Sequence, residues 1–423
     1  MNQLEAIIYN IIKKNPKLKT IVRDIYQQIL YYVPVKKVKC NYQIKVRSGF
    51  FFGFHDKTPF SRDNKFMLAM KYHTPLRTPL PEDYVEIGYF TGENFSEFKA
   101  LSKTNTYNWQ QGCMLQWVGN KNLLAYNAFD GKKNCTEIID MNGTKIAVLP
   151  AAVGAICPSG EYALSYNFAR LAKYAPGYGY ATGNDYELHK NTPETHGLHI
   201  INIKTKVMKT LFTIKDIVKL KPDDSMPDSY HYFTHPLFSP CGKRFFFLHR
   251  WIKNMNFTFT RLITCDIDKI NPYILPASGM VSHIGWRDDN HILAYCHVKE
   301  GDHYVLFEDK TDKYEIIGDN CFNSDGHPSF SPVDINWLLT DTYPDRFKLS
   351  FLILFNMQDR KRYNIARLKQ PIQYREELRC DLHPRWSRNG RILCFDSAHT
   401  GNRALCTIDM GMEFTKRNFV DYI

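Results

Sequence analysis

The sequence predicts an all-β fold, a seven-bladed β-propeller with a short N-terminal helical extension. Three observations carry this. Seven strand-like runs, "KFMLAMKYH", "NLLAYNAF", "EYALSYNF", "RFFFLHRW", "HILAYCHV", "NWLLTDTY" and "RILCFDSAH", each follow a turn signal: "RDN", "GNK", "PSG", "PCG", "RDD", "PVD" or "RNG". Each turn is preceded by another short strand ("TPFS", "LQWV", "AICP", "PLFS", "IGWR", "PSFS", "PRWS"), so the units begin near residues 50, 110, 153, 233, 281, 325 and 381. Long segments of 3.6-residue period, which a helical solenoid needs, are missing beyond the first 35 residues, and repeated hairpins of this period indicate a propeller.

The chain opens on a basic leader, taken as residues 1–37. Leu4, Ile7, Ile8, Ile11 and Ile12 recur at helical spacing, Pro16 interrupts, and Ile21, Ile25 and Leu30 resume the pattern, which reads as two short helices. Residues 1–47 hold ten Lys and Arg against Glu5 and Asp24, so eight of the twelve net positive charges lie there. A nucleic-acid binder would spread such charge over its working surface, and no nucleic-acid partner is expected. A basic amphipathic leader over residues 1–35 suits either peripheral contact with an anionic membrane or packing on the main domain. No secretory signal or run of about 18 apolar residues is evident, and eleven cysteines lack CxxC spacing. These features point to a cytoplasmic protein, peripheral to an inner membrane if the leader binds lipid.

The propeller is expected over residues 38–423. In each blade the quoted hairpin supplies the two inner strands. Runs such as "YVEIGYF", "TEIIDM", "GLHIINI" and "LSFLILF" supply the third, and "KTDKYEII" or "RKRYNIARL" the fourth. The last unit is one strand short, and "CNYQIKV" at 40–46 is expected to complete it and close the ring.

Propeller geometry gives the histidines a meaning. First-strand starts and second-strand ends share one mouth of the central channel. The starts offer His55, Gln110, Gln111, His235, His283, His327, Asp381 and His383; the ends offer His249, Arg250, Asp341 and His399. Any one such histidine can be a hydrogen-bonded structural group. Several converging on one mouth suit a metal or acid–base site, because imidazole ligates metals and moves protons near neutral pH. Blade three carries a long insertion, residues 167–197, rich in Tyr and Gly and holding Arg170, Lys173 and Tyr178. It reads as a sugar-stacking lid or as a decoration of the blade flank. The sequence has no Walker loop, no GxGxxG before a helix and no GxSxG elbow, so neither a nucleotide cofactor nor a fused hydrolase is expected.

The phrases "HPLFSPCGK", "HPSFSP" and "HPRWSRNG" resemble the repeats of TolB-type, WD40-like propellers and, among these, of oligogalacturonate lyases. The resemblance implies a divalent metal of the manganese, iron or zinc kind, held by His283, His327, Asp381 and His383. It also implies an acidic, uronate-containing glycan as substrate, with His249 as base and Arg250 on the sugar carboxylate. His55, Gln110, Gln111, Arg170, Tyr178, His235 and His399 would then surround the substrate. The chain departs from that family by placing Asp381 where a ligand histidine belongs and Leu378 where a ligand glutamine belongs. Two other classes stay open: a non-catalytic propeller binding a glycan or protein, and a glycan transferase or processing protein of bacterial polysaccharide assembly at the inner membrane.

Overall fold

The computed structural model describes residues 25–253 and 257–411. It shows seven antiparallel sheets arranged as blades. Blade 5 illustrates why the sequence folds this way. Its strands Val281–Trp286, His291–Val298, Gly301–Glu308 and Tyr314–Ile317 are short, and Ile292, Leu293 and Ala294 are buried in succession. A strand packed on both faces needs no polar alternation. At the inner turn Asp288 accepts the Asn290 N–H at 2.9 Å, an Asx turn that fixes the hairpin.

Cores form between neighbouring blades, because one blade cannot bury its own faces. Phe246, Leu248 and Leu262 of blade 4 pack with Trp286, Ile292 and Phe307 of blade 5. The first-strand tryptophans also tie blades together. The indole N–H of Trp117 donates to Pro59 O at 2.9 Å, that of Trp286 to Leu237 O at 3.3 Å and that of Trp386 to Ser329 O at 3.1 Å. In these three blades the aromatic before the turn thus hydrogen-bonds to the preceding blade while burying its ring.

The N-terminal closure differs in register from the expected strand at 40–46. Ile44–Ser48 pairs with Ala404–Asp409 in blade 7, with Ile44 opposite Ile408 and Ser48 opposite Ala404. Val38–Cys40 instead adds a fifth strand to blade 6, with Val38 opposite Leu368. Two residues of "CNYQ" lie in a bend between them, so a single strand across this stretch is not available. The leader expected over 1–37 is described only from residue 25, and the first of its two expected helices falls outside the described residues. Residues 25–31 are helical, and Lys369 ties them to blade 6 by donating to Tyr31 O at 2.6 Å. Among the described residues no helix is long and apolar enough to cross a membrane, and all eleven cysteines are free thiols.

Candidate metal and substrate centre

Five histidines meet at one mouth of the channel around Phe54. The Phe54 ring lies 4.4 Å from the His55 ring, 5.0 Å from those of His235 and His383, and 6.0 Å from those of His283 and His327 (centroid distances). His283 and His327 approach to 4.0 Å, His327 and His383 to 4.3 Å. The buried Phe54 ring is thus the apolar floor on which the imidazoles pack.

A buried ion pair of blade 7 positions this floor. Arg385 and Asp396 are fully buried and 3.2 Å apart. Asp396 accepts the N–H groups of Phe52 at 3.1 Å and Gly53 at 2.9 Å. Arg385 donates to Gly53 O, and to Phe54 O at 2.9 Å. Gly53 has φ of 104°, and an added Cβ would meet the Gln111 carbonyl carbon at 2.8 Å, so only glycine fits this approach.

His235 and His383 both adopt left-handed backbone conformations, with φ of 55° and 44°, although each precedes a proline. Such conformations cost on the order of 1–3 kcal/mol each and cluster where a side chain must be aimed. Here they turn two rings into the channel.

Three of the four residues expected to ligate a metal come together. One ligand atom each from His327, Asp381 and His383 lie within 4.8 Å of one another, and all three residues are buried. His327 Nε2, both ring nitrogens of His383 and Asp381 Oδ1 have no hydrogen-bond partner. Buried polar atoms are seldom left so. A cation bound by nitrogen and oxygen at roughly 2.0–2.3 Å would satisfy them with small side-chain shifts, so the residues present fit a divalent ion. His283 stands beside this group and outside it. Its Nδ1 is 3.0 Å from both carboxylate oxygens of Asp325, and its Nε2 is 3.5 Å from the Tyr343 hydroxyl.

Asp341 organises the group from behind. Its Oδ1 accepts the backbone N–H of His327 at 2.8 Å and lies 2.7 Å from His327 Nδ1, while its Oδ2 accepts the His383 N–H at 3.1 Å. Burial pushes the Asp341 carboxyl up to about 7, against these donors. Burial likewise holds His55, His327 and His383 well below the ordinary imidazole value, helped by their mutual repulsion, so they are neutral and able to ligate.

A roof covers the cluster. Arg379 Nε pairs with Asp381 Oδ2 at 2.6 Å, its Nη2 donates to the Tyr178 hydroxyl at 3.1 Å, and its guanidinium stands 5.1 Å from the Tyr343 ring centre. Tyr178 therefore sits at the mouth, 5.8 Å from the His235 ring. Gln110 donates to Arg379 O at 3.1 Å and supports the roof, and the side-chain oxygens of Gln110 and Gln111 are buried without partners. Arg250 reaches the same side. Its charge adds to burial in holding the His235 imidazole well below the ordinary value, and its Nη2 donates to Val281 O at 3.5 Å.

Three expected site residues have other work. His249 was the expected base, but its Nε2 is 2.9 Å from His231 Nδ1 and its Nδ1 accepts from Arg261 at 3.0 Å. With both nitrogens engaged in a fully buried pair, it has no lone pair to offer a substrate. Arg170 is 1% exposed and donates to the carbonyls of His231, Lys190 and Asn191, clamping the blade 3 insertion from inside rather than touching a ligand. His399 is held at 2.8 Å by Ser397 at the end of its strand, apart from the cluster.

Sequence reasoning missed Phe54, Asp325, Tyr343 and Arg379 as site residues. Phe54 was within reach, since it adjoins His55 in "GFHD". Tyr343 and Arg379 lie in connections without strand period, where nothing in the sequence marks their direction.

No family model matches the chain, and no curated protein matches it. Solved structures do. The chain is similar to an oligogalacturonate lyase in complex with manganese, with a TM-score of 0.60 at 12% identity over 89% of this chain and 95% of that one. It is similar to an oligogalacturonate lyase from Vibrio parahaemolyticus, with a TM-score of 0.57 at 12% identity over 89% and 94%. It also matches TolB from Acinetobacter baumannii, at a TM-score of 0.40 and 14% identity over 72% and 63%. At these identities the likeness is one of fold: the chain is a seven-bladed propeller with the architecture of the oligogalacturonate lyases.

Proposed function

We propose that the protein is a metal-assisted lyase acting on a uronate-containing glycan. The observation that carries this reading is the convergence of unpartnered buried atoms from His327, Asp381 and His383 beneath a mouth that also presents Arg250. The lyase named in complex with manganese supports the same choice of ion type. A divalent ion bound there would draw charge from a sugar carboxylate and make the adjacent C5–H more acidic.

The chain's own groups would do the rest. Arg250 would bind the carboxylate through paired N–H donors. With His249 occupied, His235 takes the role of base. Burial and the nearby Arg250 charge hold it below the ordinary imidazole value, and Thr234 Oγ1 lies 2.8 Å from its Nδ1, so Nε2 would be the nitrogen that takes the proton. The C5 proton would pass to this nitrogen, its electron pair would form the C4–C5 double bond, and the C4–O bond would break, the departing oxygen taking that proton back from the imidazolium so formed. The deciding experiment combines elemental analysis of the purified protein with an assay for release of an unsaturated uronate, which absorbs at the short-wavelength end of the ultraviolet. A protein that carries the metal and yields no such product from any uronate oligomer would be a binding propeller instead.

A second observation favours peripheral membrane contact, as in polysaccharide assembly. Ile25 and Ile29, on the helical residues 25–31, are 54% and 63% exposed and Tyr32 just past them is 78% exposed, and the basic stretch of the sequence precedes them. Apolar side chains beside basic residues suit an anionic lipid surface.

A further inference from the structure

The two faces of the propeller leave different apolar side chains in water. Connections from second to third strands lie on the mouth face, and the inner turns lie on the opposite one. Among the described residues the exposed aromatic side chains are Tyr26, Tyr32, Tyr84 and Tyr186, and all belong to the mouth face. The opposite face exposes only aliphatic ones: Val333 and Ile335 in the inner turn of blade 6, and Val207 and Ile270 between the outer strands of blades 3 and 4.

The tyrosines belong to three segments that adjoin one another. Gln27 and Gln28 of the helical residues 25–31 line a cavity with Tyr343 and Arg379 of the roof, and Gln28 lines another with Leu76 and Thr78. The blade 1 connection that holds Leu76, Thr78 and Tyr84 is tied to blade 2, where the Trp109 indole N–H donates to Arg77 O at 2.7 Å and Asn105 to Pro81 O at 2.9 Å. The blade 3 insertion follows, with Asn108 donating to Tyr178 O at 3.0 Å, and it carries Tyr186, 86% exposed. A Tyr ring is apolar and its hydroxyl wet, which is why Tyr gathers where hydrocarbon meets water. Scattered exposed aliphatic residues carry no such meaning.

Charge alone does not orient the molecule, since Lys121, Lys243 and Arg391 are exposed on the opposite face. Covalent reach does. The described chain begins at residue 25 on the mouth face, and at roughly 3.6 Å per residue at most Arg23 cannot leave it. Lys13, Lys14, Lys17 and Lys19 are tethered to the same face.

We propose that the mouth face is the surface this protein lays on an anionic bilayer, with Tyr32, Tyr84 and Tyr186 among the headgroups. The proposal rests on the membrane reading of the leader, adds to it the orientation of the propeller, and does not depend on the lyase chemistry. In this orientation the channel opens toward glycan chains rooted in the bilayer, and a polymer free in solution meets the opposite face.

The test uses the full-length protein at low salt with vesicles of phosphatidylserine and phosphatidylcholine, part of the latter brominated on its acyl chains to quench tryptophan. Ile29→Trp, Tyr186→Trp and Ile335→Trp each add one exposed tryptophan, read as the difference from wild type, whose six tryptophans are buried. Exposed positions tolerate such changes, and unchanged melting temperatures check this. The tryptophans at 29 and 186 should lose about half or more of their emission, because interfacial side chains reach roughly 5–10 Å into the boundary with the acyl chains. The one at 335 should lose none. Quenching at 29 without 186, or equal quenching at 186 and 335, overturns the orientation and leaves the leader's membrane contact standing. A protein that does not sediment with the vesicles removes both.

Discussion

His327 and Asp341 are joined twice, by the backbone N–H at 2.8 Å and by the ring Nδ1 at 2.7 Å, to the same carboxylate oxygen. This arrangement turns Nε2, the nitrogen without a partner, toward Asp381 and His383. A carboxylate behind a ligand imidazole fixes the tautomer and raises basicity, and loss of such a partner commonly costs 10–100-fold in metal affinity. Asp341→Asn keeps one acceptor oxygen and replaces the other with a donor facing the His383 N–H. The variant should fold and lose about 10–100-fold in manganese affinity, measured by competition with a chelating dye. Unchanged affinity would make Asp341 a purely structural cap.

Arg250 and His383 should separate binding from metal retention. Arg250→Ala removes a cation that touches no candidate ligand, so metal content should stay at the wild-type level while uronate binding falls. His383→Ala should lose the metal. If the two variants lose metal alike, Arg250 supports the site instead of facing the substrate.

The blades were legible because their signals are local: a turn, a short apolar run, an aromatic. The convergence of His55, His235, His283, His327 and His383 was legible because the propeller rule maps strand starts to one mouth. The same rule misplaced His249. It gives the end of the strand, and it does not say that His231 from the neighbouring strand and Arg261 will take both ring nitrogens. Arg379 was invisible for the opposite reason. It lies in a strap whose path is set by long-range contacts such as Tyr374 with Arg403, and no periodicity records these. The closing strand was found but not its register, since "CNYQIKV" can pair with either neighbouring blade and the structure uses both.

Asp396 should be a point of fold failure rather than of catalysis. Its partner Arg385 is 1% exposed, so Asp396→Ala leaves a buried guanidinium without its charge partner and frees the Phe52 and Gly53 N–H groups. Breaking a buried pair from one side costs about 3–5 kcal/mol. Urea unfolding of the variant should show a loss of that order, and a loss below about 1 kcal/mol would mean that the Phe54 floor is held by packing alone.

Stability of the metal-free protein should fall in mild acid. Burial lowers His231 to about 4, against about 6.5 when unfolded. Between these values the unfolded chain binds more protons, so this contribution is complete above about pH 6.5, falls as pH drops toward 4 and does not change further below. The cluster histidines act in the same direction. Asp341, raised to about 7, acts in the opposite one between its unfolded value and 7. His231→Gln should melt lower than wild type at pH 7.5, and its melting temperature should decline less steeply from pH 6.5 to 4. Parallel declines would show that His231 is not among the groups that titrate.

The leader offers the last prediction. Five cations, Lys13, Lys14, Lys17, Lys19 and Arg23, precede the helical residues 25–31, on which Ile25 and Ile29 are exposed, with Tyr32 exposed just past its end. Each basic residue near an anionic surface is worth about 1 kcal/mol, and the apolar side chains add burial. Removing residues 1–24 should therefore leave the propeller folded, since the closing strands Val38–Cys40 and Ile44–Ser48 remain, and should weaken sedimentation with phosphatidylserine vesicles strongly at low salt. Ile29→Ser in the full chain should weaken it further at high salt, where screening has removed the charge contribution. If the truncated protein sediments with vesicles as well as the full chain does, the leader packs on the protein and the membrane assignment falls.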